Sequence, residues 1–386
     1  VKLQSEKLAP FIAGTVASTT GSIATFAIAI SGLADMGASQ DQIATAIAVM
    51  LLGYGVLSIG LSSYLKMPVS IVWSTPGAAF LASSSALGLS FETAVGAFLV
   101  SSLLILLTGL WPALGKLVAK IPPQISSAML AGVIFPFVVA TVHSAVEFPI
   151  LVMPVVIVWL LLNRFIPLWA SPLAISLGFV LIGASPEAAD LKLERFWPHL
   201  ELVIPNFEFG AVVAIGVPLY LITMASQNLP GLAVMSGLGY QLPAGKIFIT
   251  TGAASAATSL FGGFGLNLAA ITAAINADES AAKDPKRRWM AASWGGVVYI
   301  LFALFAAPFA AFVLAVPGEL LLSLAGIALI TTFANALKTS VQDDRLRLAG
   351  IATFVIGAAG ITIFGIGGAF WALVAGVLIS LLSKKN

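Results

Sequence analysis

The 386-residue chain has no cysteine, only two histidines, and charged residues make up just 9% of it. Without cysteine there can be no disulfides, thiolate metal sites, iron–sulfur clusters or cysteine nucleophiles. Two histidines exclude multi-histidine metal centres as well. A soluble domain typically carries about 25% charged residues. Here hydrophobic residues reach 59% and the mean hydropathy is +1.06. A surface this poor in charge has to be covered by something other than water, and a lipid bilayer is the natural cover. The net charge of +2 says little as a sum; its distribution matters. No cleavable signal peptide is evident, because the first apolar run is too long for an h-region. No cofactor, metal or nucleic-acid partner is implied.

A transmembrane helix needs roughly 20 apolar residues. Apolar runs bounded by charges and Pro/Gly turns fall at 10–33, 41–64, 67–86, 91–113, 122–143, 147–166 and 168–184, and, after a polar stretch at 185–207, at 209–236, 244–261, 262–277, 289–313, 317–336, 347–364 and 366–383. The fold class expected is therefore an all-α polytopic membrane protein of fourteen spans. With a cytoplasmic N-terminus, sixteen of the eighteen Lys and Arg lie inside, and only Lys192 and Arg195 lie outside, in the long polar loop. This is the bias that the positive-inside rule predicts, with both termini cytoplasmic.

Half-way along, the chain repeats weakly. A shift of 194 residues superimposes Pro123 on Pro317 and Ala131-Gly132 on Ala325-Gly326. The seventh and fourteenth spans also match loosely. Two halves of seven spans enter the membrane in opposite senses, an inverted repeat of the kind transporters use.

The third and tenth spans occupy equivalent places and both read as broken. Met67 to Trp73 suits an extended segment, and Ser74-Thr75-Pro76 reads as a helix start, an N-cap hydroxyl followed by Pro in the first turn. In the tenth span, Gly262, Gly263 and Gly265 argue against helix. The Ala-rich run from Asn267 to Ala277 argues for one, with Asn267 as its candidate cap. At ~1.5 Å per residue that run covers only half a bilayer. The two half-helices point away from each other from the midplane, and each N-terminus carries roughly half a positive charge. Together they suit a monoanion, in a chain with no Lys or Arg in the interior of any span.

The eighth span holds Ser226, Gln227 and Asn228. Such amides are costly in hydrocarbon without partners. They suit either a substrate carboxylate or backbone groups freed by a broken helix. Trp73, Phe264 and Tyr220 are candidates for an aromatic pocket, although packing is the commoner role for such rings. Thr19, Thr20 and Ser22 are weaker candidates, since Ser and Thr often bond their own helix. The acids all fall in loops or near span ends. A coupled proton would then travel on the substrate, as a protonated acid, or along a water path. The same absence argues against an enzyme, which needs clustered Asp, Glu or His.

The string Trp73-Ser74-Thr75-Pro76-Gly77-Ala78-Ala79 resembles the third-span motif of the bacterial benzoate:proton symporter family. Thr223-Met224-Ala225-Ser226-Gln227-Asn228 and Ala269-Ala270-Ile271-Thr272-Ala273-Ala274-Ile275 resemble the same family, and the similarity runs over essentially the whole chain. The resemblance implies the seven-plus-seven fold of the nucleobase and sulfate carriers. It implies a core domain of spans 1–4 and 8–11 (residues 1–115 and 208–314) and a gate domain of spans 5–7 and 12–14 (116–207 and 315–386). Substrate would sit between the third and tenth half-helices, often in a homodimer with elevator motion. Unlike the nucleobase carriers, this chain has no acid in its eighth and tenth spans. That fits an anionic carboxylate better than a nucleobase.

The expectation is proton-coupled import of benzoate or a related aromatic monocarboxylate across the bacterial inner membrane. The substrate-binding residues expected are Trp73, Ser74, Thr75, Gly77, Gln227, Asn228, Gly265, Leu266 and Asn267. The rival readings are a carrier of the same fold for another anion or a nucleobase, and a passive anion channel.

Overall fold

The computed structural model describes residues 2–23, 25–118, 120–186, 195–269, 271–363 and 366–383. The first half holds α1 (Lys2–Ile23), α2 (Phe26–Asp35), α3 (Gln40–Leu65), strand β1 (Ile71–Val72), α4 (Thr75–Ala82), α5 (Phe91–Leu110), α6 (Pro112–Val118), α7 (Pro123–Glu147), α8 (Pro149–Phe165) and α9 (Pro167–Gly183). The second holds α10 (Phe209–Gly237), α11 (Ala244–Ser259), β2 (Asn267–Leu268), α12 (Ile271–Ala277), α13 (Trp289–Ala303), α14 (Ala306–Ala315), α15 (Gly318–Val341), α16 (Arg347–Ala358), a β3–β4 pair (Thr362–Ile363, Ile366–Gly367) and α17 (Gly368–Ser383).

Local chemistry sets many of the helix starts. Ser39 and Gln42 form a reciprocal capping box at α3, and the Ser90 hydroxyl accepts the Thr93 N–H at α5. Pro occupies the first turns of α8 and α9, where its missing N–H costs nothing. Pro122 and Pro317 cap α7 and α15 with nearly the same backbone angles (φ −56 and −52, ψ 133 and 134). These caps correspond at a shift of 195, one residue more than the internal match of the sequence.

Six helical stretches among the described residues are long and apolar enough to cross a membrane unaided: Leu8–Asp35, α3, α5, α7, α10 and α15. The segment Pro285–Ala303 and α14, bent by 61°, make a seventh if counted as one span. The remaining apolar helices are shorter. The first run, expected over 10–33, falls within the stretch Leu8–Asp35. The thirteenth, expected to reach 364, leaves helical form after Ala358. Lys192 lies outside the described residues.

Packing partners are exchanged between the halves. Helix α3 packs on α13 as α5 packs on α11; α8 packs on α9 as α16 packs on α17; α7 and α15 pack on each other. The contact of α1 with α13 is matched by that of α10 with α5, and α2–α4 by α10–α12. Strands β1 and β2 pair antiparallel at the centre, Ile71 opposite Leu268 and Val72 opposite Asn267. At the α3–α13 crossing, a Cβ on Gly55 or on Gly296 would lie 2.6–2.7 Å from the other's carbonyl oxygen, so only glycine allows this backbone approach. The polar segment before α10 is tied to the helix ends below it. Val203 N–H donates to Leu260 O, Asn206 N–H to Glu92 O, and the Gln42 amide to Glu201.

Candidate functional site

Extended backbone inside an apolar protein needs partners for its N–H and C=O groups. Neighbouring helices supply them in parallel fashion in the two halves. In α3, Ser58 Oγ accepts the Ile71 N–H at 3.0 Å, and Ser62 Oγ exchanges bonds with Val69 at 2.9 and 3.1 Å. In α11, Ser255 Oγ accepts the Leu266 N–H at 2.7 Å. Asn228 Oδ1 accepts the Leu268 N–H at 3.0 Å. Asn228 belongs to a π-helical turn, Met224–Asn228, within α10. π-turns recur at functional sites because they re-aim side chains.

The two strands lead to a cavity of about 330 Å³, within the usual range for small-molecule sites, ~300–1,000 Å³. The cavity is lined by Thr20, Gly21, Ser22 and Thr25 around the α1–α2 break, Tyr54 of α3, Trp73, Thr75 and Pro76 around the start of α4, Ser226 and Gln227 of α10, Ala269, Thr272 and Ile275, and Tyr299 of α13. Further lining residues are Leu130 of α7, Pro167, Ser171 and Pro172 of α9, and Ala328, Leu329, Thr331, Thr332 and Asn335 of α15. Among the described residues, no Asp, Glu, Lys, Arg or His lines it. Trp73 is held by its indole N–H, which donates to Thr25 Oγ1 at 2.8 Å, and by edge contacts with Phe26 and Tyr54.

Of the residues expected from sequence, Trp73, Thr75 and Gln227 line this cavity, and the other six stand behind it. Ser74 caps α4, its Oγ accepting the Gly77 N–H at 3.0 Å. Gly77 is buried against Leu219 and Ser74. Asn228 supports β2. Gly265 (φ +135) turns the chain into that strand, and Leu266 is fully buried. Asn267 is not the cap of a helix. It lies in β2, paired with Val72, and α12 runs Ile271–Ala277. Backbone pairing with β1 won over the local cap propensity of Asn before an Ala-rich run. Tyr220 and Phe264 leave the aromatic pocket too: the Tyr220 hydroxyl bonds Thr108 Oγ1 at 2.7 Å, and Phe264 packs edge-on to Phe98.

The start of α4 has fewer free donors than a bare helix end. Pro76 has no N–H. Gly77 and Ala78 N–H donate to the Ser74 side chain and carbonyl, at 3.0 and 2.8 Å. Thr75 keeps the one first-turn N–H that these bonds do not use. Side chains must therefore supply much of the polar contact. Sequence reasoning missed Tyr54, Tyr299, Thr272 and Asn335, which sit in ordinary apolar helical runs. A Tyr in the middle of a span with no adjacent interface was the available signal.

Residues 4–382 match the family described as "Benzoate membrane transport protein". The chain is 34% identical to "Inner membrane protein YdcO" of Escherichia coli, over 97% of each chain. It is 28% identical to "Benzoate membrane transport protein" of Acinetobacter baylyi, over 90% of this chain and 88% of that one. Its fold is similar to the transmembrane domain of a cyanobacterium bicarbonate transporter BicA, with a TM-score of 0.60 at 17% identity, covering 99% and 98% of the two chains.

Proposed function

The chain belongs to the benzoate membrane transport family, and we propose that it imports benzoate or a related aromatic monocarboxylate, coupled to protons, by elevator-type alternating access. The observation that carries this reading is the cavity: small, uncharged, lined by Trp73, Tyr54 and Tyr299, and placed where two extended segments give way to short helices. Aromatic faces and edges suit a benzene ring. The positive ends of α4 and α12, with Thr75, Thr272 and Gln227, suit a carboxyl group.

The fold reading completes the mechanism. Fourteen spans in two inverted repeats of seven are supported by the exchange of packing partners between halves. In this reading spans 3 and 10 are β1–α4 and β2–α12. The core is α1–α5 with α10–α14, and the gate is α7–α9 with α15–α17. The lining residues divide along that line. On α9 the lining residues follow Arg164, and on α15 they run toward Lys338. The cavity thus leads to the basic, cytoplasmic side, and both termini lie there, in the bacterial inner membrane. A homodimer would hold the gates still while the cores move.

Proteoliposome uptake of labelled benzoate, with and without an inward proton gradient, tests the reading. Accumulation that the gradient drives and an uncoupler abolishes is expected, with competition from aromatic acids and none from uracil, sulfate or bicarbonate. Uptake that only equilibrates, or that follows uracil or an inorganic anion instead, would overturn it.

A further inference from the structure

Many buried hydroxyls in this protein bond a main-chain carbonyl, as Ser102 does to Phe98, Thr251 to Ile247, Thr353 to Ala349 and Ser62 to Val69. A group beside the cavity differs. Ser18 and Ser22 of α1, Tyr54 of α3 and Tyr299 of α13 are each at least 97% buried. The Ser22 and Tyr54 hydroxyls have no hydrogen-bond partner among the described residues, and the Tyr299 hydroxyl has only the neighbouring hydroxyls of Ser18 and Thr272 beside it. Thr20 Oγ1 likewise has no partner among the described residues. Leaving a buried hydroxyl unpaired costs about 1–3 kcal/mol, so such a concentration calls for a ligand. Thr20, Ser22, Tyr54 and Tyr299 all line the cavity. The two tyrosine rings meet edge to face with centroids 5.7 Å apart, and Tyr54 meets Trp73 at 5.4 Å. A Cβ on Gly21 would lie 3.7 Å from Tyr299 Oη and 3.9 Å from Thr272 Cγ2, so this hydroxyl adjoins the first turn of α12.

We propose that this hydroxyl cluster binds the protonated carboxyl group of the substrate, so that the coupled proton crosses on the substrate itself. The inference rests on the aromatic-acid carrier reading above. Main-chain N–H groups only donate, and a carboxylic acid needs an acceptor for its O–H as well as donors for its carbonyl. A hydroxyl offers both. A bare carboxylate would be costly in a cavity with no cationic side chain, and the neutral acid much less so. The titratable groups that face the cluster are the two tyrosines themselves. The charges on the packed elements lie toward their ends in the sequence: Lys2, Glu6 and Lys7 on α1, Asp35 on α2, Asp41 and Lys66 on α3, Asp278 after α12, Arg288 before α13, and Glu319 and Lys338 on α15. Arg288 precedes Tyr299 by eleven residues, about 16 Å along a helix. The balance is simple. Outside, the carboxylate takes a solvated proton from hydronium, which is left as water, and forms an O–H bond. The neutral acid crosses, and inside that bond ionises to carboxylate and proton. One proton moves per substrate, with no net charge.

Equilibrium binding of labelled benzoate to the purified full-length protein between pH 5.5 and 7.5 tests this. The protonated fraction falls about tenfold per pH unit above the acid's own pKa, so the apparent Kd of the wild type should rise by about that factor per unit. In Tyr54→Phe/Tyr299→Phe the rings and packing remain but the two phenolic hydroxyls of the cluster are gone. Binding at pH 5.5 should weaken at least tenfold and the slope should flatten, while each single variant and Ser22→Ala fall between. Wild-type uptake into proteoliposomes should follow the pH gradient and ignore an imposed potassium–valinomycin potential. A pH-independent wild-type Kd, an unchanged slope in the double variant, or potential-driven uptake would overturn the proposal. No benzoate binding at any pH would sink the carrier reading beneath it.

Discussion

Asn228 Oδ1 accepts the main-chain N–H of Leu268 at 3.0 Å, across 40 residues of sequence. The adjacent Gln227 points into the cavity instead. Neighbouring amides in one π-turn thus divide between holding the unwound strand and facing the substrate. Asn228→Ala leaves the Leu268 N–H buried and unpaired, which costs about 1–3 kcal/mol, and should lower the melting temperature. Gln227→Ala should leave melting unchanged. If its amide meets the carboxyl group, benzoate binding should weaken roughly 10- to 150-fold, the equivalent of about 1.5–3 kcal/mol. Thermal melting and ligand titration of the two variants separate the roles; equal melting losses would assign both to structure.

Arg288 is buried, and its guanidinium donates to the carbonyls of Ala277 and Ala282 at 2.8 Å each, closing the C-terminal end of α12. Beside it, the Ser280 N–H donates to the Asp278 carboxylate and holds its pKa below the usual range. Arg288→Met keeps much of the volume and removes both charge-assisted bonds. It should cost about 3–6 kcal/mol, each such bond being worth roughly 1.5–3 kcal/mol, and reduce uptake by loosening α12 rather than by touching substrate. Unchanged melting in detergent would contradict this.

An acid placed at the cavity should repel the substrate, and the structure says where to put it. Gly77 and Leu266 are poor choices. A Cβ on Gly77 would lie 2.9 Å from Leu219 Cδ1, and Leu266 is fully buried behind the strand, so Gly77→Asp or Leu266→Glu would disturb packing first. Thr272 lines the cavity. Thr272→Asp should abolish benzoate binding while the protein still inserts and purifies as a folded species, and Thr272→Val should lose less than tenfold. Full binding by Thr272→Asp would move the carboxyl group away from α12.

How much of this was legible follows from where the information sits. The start of α4 announces itself locally: Ser74, then Pro76, is a cap and a first-turn proline, and the structure has both. The segment before α12 was only half readable. The glycines at 262, 263 and 265 predicted extended chain, but the strand continues through Asn267 because β1 offers a partner. No single-sequence signal encodes that long-range pairing. The π-turn that splits Gln227 from Asn228 has no composition signature, and Tyr54 and Tyr299 meet only through the α3–α13 crossing. Their role depends on a glycine contact between helices more than 200 residues apart.

Relative motion of two bodies can be tested on the side away from the cavity. There the end of α4 meets the turn before α17: Phe80, Ser83 and Ser84 share a space of only about 40 Å³ with Val133, Pro136, Gly360 and Ile361. If core and gate slide past each other, these contacts must part in each cycle. The native chain has no Cys, so Ser83→Cys with Ile361→Cys introduces the only thiols. Joining them with a short bifunctional reagent should stop uptake almost completely. Benzoate binding at the cavity should persist, because the cavity is left as it stands. A cleavable reagent should restore transport on reduction. Each single variant treated with the same reagent should stay active. Undiminished uptake with the cross-link formed to completion would mean that α4 and the α16–α17 turn move together, and the boundary between the bodies would have to lie elsewhere.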